Sequence, residues 1–169
     1  MIYWLLHGFV AAIFLRAGIG KLLGRRDFYW QLRASAVLPR QLIAPASYVI
    51  PILELCTGFG VLPAYAGLRL AETSAVIMLA AFTGYTLWIT MAGRTVRCFC
   101  FGRDDGEINW VTVTRNGMML CIVVLTAVGP IETIPTGDAL LGVIDGATAS
   151  FLFVGAFQMH AMRRELAKR

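Results

Sequence analysis

Charge is scarce in this 169-residue chain: Asp, Glu, Lys and Arg make up 15%, against about 25% in soluble domains. A hydrophobic content of 58% and a mean hydropathy of +0.70 complete the contrast. This composition excludes disorder and most soluble enzymes of this size, and four cysteines are too few for a secreted disulfide scaffold. Histidine is limited to His7 and His160, and no second close cysteine pair exists, so a four-ligand zinc site would be short of ligands. Sustained apolar–polar alternation is also missing, which argues against a β-barrel. The net charge of +5 comes from basic residues lying between apolar runs. That is the pattern of membrane insertion and contact with anionic lipid, and it speaks against nucleic-acid binding.

What is present is a series of long apolar segments. A spanning helix needs roughly 20 mostly apolar residues, and five segments meet that length, at about 2–23, 41–66, 71–93, 113–131 and 139–162. They leave little chain for a separate soluble domain, so residues 1–169 read as one integral membrane domain. The first segment has no basic residue before Ile2 and no small-x-small site after it, and therefore reads as a mature helix instead of a signal peptide. With five spans, the first loop, the third loop and the tail share one side and carry eleven Lys and Arg, against one on the other side. Positive-inside bias then places the amino terminus outside and the carboxyl terminus in the cytoplasm of a cell inner membrane.

Ionisable residues inside spans are costly and mark pairing or functional sites. Glu54 lies mid-span in the second segment, and Arg16 and Lys21 lie in the first. The simplest arrangement pairs Glu54 with Arg16 or Lys21. Such a pair either staples two helices together or handles protons and polarises a bound ligand. Glu72 lies near a span boundary and Asp145 about two turns into the fifth span; both positions are compatible with facing water, and neither is assigned a role. Pro45 and Pro51 should irregularise the second span, and Gly142-xxx-Gly146 permits a close helix crossing.

The third loop contains Cys98-Phe99-Cys100-Phe101-Gly102, flanked by Arg97 and Arg103. Two cysteines one residue apart can bond, and nearby positive charge favours the thiolate. Three readings stay open from spacing alone: thiol–disulfide exchange by Cys98 and Cys100, inert loop residues, or Cu(I) or Zn(II) handling. Cys56 and Cys121 are expected to be buried apolar side chains, with a relay of electrons to the loop pair as the functional alternative.

Together these blocks resemble the MauE/DoxX group of small membrane proteins, in its methylamine-utilisation MauE branch. Arg16-Ala17-Gly18-Ile19-Gly20-Lys21-Leu22, Asp27-Phe28, Leu38-Pro39, Glu54-Leu55 with Gly58, and the cysteine block occur in the family's order, with Phe99 where the family often has glycine. The resemblance covers roughly residues 10–130. It implies an all-α polytopic membrane bundle, with a four-helix core like those of DoxX and vitamin K epoxide reductase and a fifth carboxyl-terminal transmembrane helix. It further implies a redox-associated role in maturing a disulfide-containing partner, the small subunit of methylamine dehydrogenase, beside a thioredoxin-like protein. Carried over by position, Cys98 and Cys100 are the exchanging thiols and Glu54, Arg16 and Lys21 the intramembrane polar cluster, with a membrane quinone as the implied cofactor. A non-catalytic assembly or anchoring factor is the competing reading. Disulfide work on exported proteins belongs outside the cytoplasm, whereas the charge bias puts the third loop inside; both placements of the pair stand at this point.

Overall fold

The computed structural model describes residues 2–62, 69–98, 106–129 and 136–166. These form six helices: α1 (Ile2–Leu23), α2 (Arg25–Ser35), α3 (Arg40–Gly60), α4 (Arg69–Met91), α5 (Trp110–Val128) and α6 (Thr136–Leu166). All but α2 are long and apolar enough to cross a membrane. The protein is thus an all-helical, multi-pass membrane bundle. A chain of this apolarity has few other choices in lipid, where backbone polar groups must be satisfied within the segment.

The boundaries differ from the sequence reading at several ends. α5 begins at Trp110 instead of residue 113, because the Asn109 side chain caps it by accepting hydrogen bonds from the backbone N–H groups of Val111 and Thr112. α3 is helical as far as Gly60 and continues through both Pro45 and Pro51. α2, within what read as a loop, is an additional short helix of 11 residues. It is too short to span and carries Arg25, Arg26 and Arg33 on its exposed side with Phe28 and Ser35 buried. Arg25 lies over the Tyr48 ring at 4.4 Å and Arg33 over Trp30 at 5.1 Å, an arrangement suited to an interfacial helix.

α1 is the central element. It packs on α6, α3 and α5, while α4 packs on α5 and α3. The core around it contains Phe9, Val10, Ile13, Phe14 and Ala17 of α1 with Leu79, Met119, Val123 and Val154. Two of the crossings are close because glycine lines them. At α1–α3, a Cβ on Gly18 would come within 2.9 Å of the Pro51 carbonyl oxygen, and one on Gly58 within 3.0 Å of the Leu15 nitrogen. At α1–α6, a Cβ on Gly8 would come within 2.6 Å of the Val143 backbone, and one on Gly146 would collide with the backbone of Leu5 and Phe9. The Gly142-xxx-Gly146 pattern therefore is a contact surface, consistent with small residues driving helix association in lipid.

Gly146→Leu is expected to prise α6 from α1, at a cost at or above the ~1–3 kcal/mol of core overpacking. Gly155→Leu serves as the control, because nothing lies within 4 Å of its added Cβ. Thermal unfolding in detergent should show a large loss for the first variant and little change for the second.

Candidate functional site

The end of α1 delivers Lys21 into the bundle, where its Nζ donates to Glu54 Oε1 at 2.6 Å. Both side chains are almost fully buried, at 2% and 3% exposed. Lys21 does not reach back to the membrane surface; instead its ammonium lies 5.0 Å from the centroid of Phe82 and 5.7 Å from that of Phe28. Aromatic faces stabilise a desolvated cation, so α2 and α4 each supply one ring to the pair that joins α1 and α3. Arg16, the alternative partner in the sequence reading, is not at this site: its guanidinium stacks over Phe151 of α6 at 5.1 Å.

Two cavities share Lys21. The smaller, about 30 Å³, is lined by Lys21, Glu54 and Asn116 together with Phe14, Leu79 and Met119 among others. The larger, about 340 Å³, lies between α1, α2, α3 and α4. Its polar lining is confined to Lys21, Gln31, Ser35 and Tyr85. Leu53 and Ile77 of its wall are themselves exposed on the bundle's outer surface, so this cavity opens sideways, toward lipid. Its size falls within the ~300–1,000 Å³ usual for small-molecule sites.

Tyr85 connects this cavity to the cysteine arm. α4 ends at Gly93, whose φ of +62° lets the chain turn back, with Arg94 N–H donating to the Ile89 carbonyl in the manner of a Schellman exit. The chain then runs antiparallel to the segment entering α5: Cys98 N–H donates to Gly106 O at 2.8 Å and Ile108 N–H to Val96 O at 2.9 Å. Cys98 is disulfide-bonded and fully buried. It sits in a small apolar cluster with Ile89, Val96 and Ile108, and Tyr85 packs against that cluster. Cys100 lies outside the described residues. Beside the arm, a cleft of about 500 Å³ separates it from α2 and is lined by Asp27, Trp30, Gln31, Thr95 and Arg97.

A second buried pair was not legible as one in the sequence. Glu72, left without a role by its place near a span boundary, is 5% exposed, and its Oε1 lies 3.1 Å from His7 Nε2. The other ring nitrogen, Nδ1, lies 2.9 Å from the Tyr3 carbonyl oxygen. A carbonyl only accepts, so Nδ1 carries a proton, and His7 Nε2 and Glu72 Oε1 share one further proton between them. The pair ties α1 to α4. Glu72→Gln is expected to be tolerated, since an amide N–H can donate to Nε2. Glu72→Leu strands the buried nitrogen and is expected to cost about 1–3 kcal/mol, measurable as a lowered unfolding temperature in detergent. Asp145, by contrast, is exposed.

The two remaining cysteines correct the sequence reading. Cys56 and Cys121 are exposed free thiols, not buried ones, because each lies on the outer side of its helix. Among the described residues no group of three or more His, Cys, Asp or Glu is placed to hold a metal ion. Asn116, Tyr85, Phe28 and Phe82 are site residues that the sequence reading does not find; they lie on α2, α4 and α5, and no local spacing ties them to Lys21 on α1 or Glu54 on α3.

No solved structure matches the chain. Curated relatives do. The methylamine utilization protein MauE of Paracoccus denitrificans is 26% identical over 160 residues, covering 92% of this chain and 86% of that protein. The MauE protein of Paracoccus versutus is 28% identical over 164 residues, with the same coverage. The family model described as methylamine utilisation protein MauE matches residues 1–129, a stretch that takes in α1 to α5, both cavities and the cysteine arm, and the chain therefore belongs to the MauE family.

Proposed function

We propose that this protein is a membrane thiol–disulfide redox carrier serving methylamine utilisation, in which Cys98 and Cys100 form the redox disulfide and the lateral cavity holds a membrane quinone. The observation that carries this reading is the double contact of Tyr85, which packs against the cluster enclosing Cys98 and lines the cavity. A disulfide and a lipid-accessible site are thereby one side chain apart. The relatives' name supports the pathway, and the cleft beside the arm is the docking face for a cysteine-bearing segment of a maturation partner.

A thiolate of the partner attacks the disulfide, a mixed disulfide forms, and the partner's second thiolate displaces it. The partner leaves oxidised, and Cys98 and Cys100 are left as thiols. A quinone supplies the two-electron, two-proton acceptor that returns them to the disulfide. The residues present fit such a group: an apolar slot, open to lipid, with an ammonium and a phenol as donors for carbonyl oxygens. Lys21 and Tyr85 would orient those oxygens, and the Phe28 and Phe82 rings flank the ammonium.

Ala81 lines the cavity, and Ala81→Trp fills it. With a soluble quinone analogue present, wild-type protein is expected to oxidise a model dithiol over many turnovers and Ala81→Trp only once per disulfide. Equal multiple turnover by both would remove the cavity from the reading. For orientation, the basic excess supports a reading with the arm, α2 and the carboxyl terminus on the cytoplasmic face of the inner membrane. A membrane-impermeant thiol reagent should then label the reduced arm only in opened cells; labelling in intact cells would invert the protein.

A further inference from the structure

We propose that the small cavity beside Glu54 is a built site for an internal water molecule, held between Glu54 Oε2, the Asn116 amide and the Lys21 ammonium, and that this water keeps the Lys21–Glu54 pair in its ionic form. The inference rests on the reading of Lys21 as the cation of the ligand cavity, but the site itself does not depend on any redox activity.

Three observations converge on it. First, Glu54 Oε1 is taken by Lys21, whereas Glu54 Oε2 is buried with no hydrogen-bond partner among the described residues. A carboxylate oxygen left bare in a low-dielectric interior is costly, so the carboxylate needs a further donor. Second, Glu54 lines a cavity of about 30 Å³, above the roughly 10–15 Å³ that a water requires. Third, that cavity is lined by three polar side chains from three helices, Lys21, Glu54 and Asn116. Asn116 is 3% exposed, and its Nδ2 reaches Thr86 Oγ1 at 3.5 Å, which fixes the amide from the α4 side. A water there can donate to Glu54 Oε2 and to the amide oxygen while accepting from Lys21 Nζ–H, giving it the two to four partners that buried waters have. A cation is disfavoured in the same space by the ammonium already beside it.

The consequence concerns charge. A Lys–Glu pair in an apolar interior loses little by passing its proton from nitrogen to oxygen and becoming neutral, because desolvation offsets the attraction between the charges. A donor on the second carboxylate oxygen favours the ionic form. Lys21 then presents a full positive charge to the large cavity on its other side. Asn116 is accordingly a positioning residue, acting through the water on Glu54.

The test is a high-resolution experimental map of the wild-type protein in lipid nanodiscs, paired with infrared spectra of wild type, Asn116→Leu and Glu54→Gln. A density peak within hydrogen-bond distance of Glu54 Oε2 and Asn116 is expected. So is a carboxylate band that Glu54→Gln removes. In Asn116→Leu the peak should vanish and a carboxylic acid C=O band should replace the carboxylate band. A wild-type map of that quality with no peak at Glu54 Oε2 overturns the proposal, as does an unchanged carboxylate band in a folded Asn116→Leu. These readouts are independent of thiol oxidation, so loss of the redox reading alone leaves them standing.

Discussion

Cys98→Ala is expected to reduce multiple-turnover oxidation of a partner dithiol to background while leaving a folded, membrane-inserted bundle. The reasoning begins with how little the bond does for stability. If it closes on Cys100, the ring spans so few residues that the chain-entropy gain is only about 1–2 kcal/mol, and the bundle's own packing around α1 dwarfs it. Cys98 nonetheless sits at the centre of a built environment. The Gly93 turn, the backbone pairing with Gly106 and the Asn109 cap fix the arm, and Ile89, Val96 and Ile108 seal the sulfur from water. Alanine is preferable to serine here, because a hydroxyl in that apolar pocket would add a desolvation cost of its own. Cys56→Ala and Cys121→Ala are the matched controls: both thiols face outward, and both variants are expected to turn over as wild type. The measurement is the rate of quinone-dependent dithiol oxidation, with circular dichroism to report the fold. Wild-type turnover in Cys98→Ala would remove Cys98 from the redox reading.

The five apolar spans were legible because length and apolarity alone decide them in lipid. What could not be read was rotation, the face that each helix turns inward. Arg16 and Lys21 looked equivalent as partners of Glu54, yet five residues separate them by about 140° around the helix. Only one can face α3, and the choice follows from Ile13, Phe14 and Ala17 sharing the inward face with Lys21. Cys56 and Cys121 went wrong for the same reason. Cys56 is two residues from Glu54, about 200° around α3, and Cys121 stands midway between inward-facing Met119 and Val123. α2 was hidden by its charge: its arginines suggested a loop, although Phe28, Leu32 and Ser35 already mark a helical stripe. Nearness to a span end says little about Glu72, whose burial depends on His7, 65 positions away. Such long-range pairings have no local sequence signature.

Lys21→Met is expected to destabilise the bundle by about 3–5 kcal/mol, the usual cost of leaving one member of a buried pair uncompensated. The reason is local. Glu54, at 2% exposure with Phe14, Leu79 and Phe82 around it, would have either to hold a charge with no ammonium to answer it or to take up a proton, and both cost stability. Glu54→Leu leaves the converse problem, an ammonium held only by two aromatic rings, and is expected to cost somewhat less because those faces are attractive. The double variant Lys21→Met/Glu54→Leu decides what the pair is for. Replacing both charges with apolar groups of similar volume is often neutral for stability, so unfolding in detergent should return close to wild type. A staple between α1 and α3 would then be fully replaced, and turnover would return with it. A pair that presents charge to the lateral cavity would not be replaced: the double variant should fold as wild type, retain one stoichiometric round of dithiol oxidation at Cys98, and fail to reoxidise. Stability and turnover recovering together would assign Lys21 and Glu54 to packing alone, whereas recovery of stability without turnover assigns them to the cavity's chemistry.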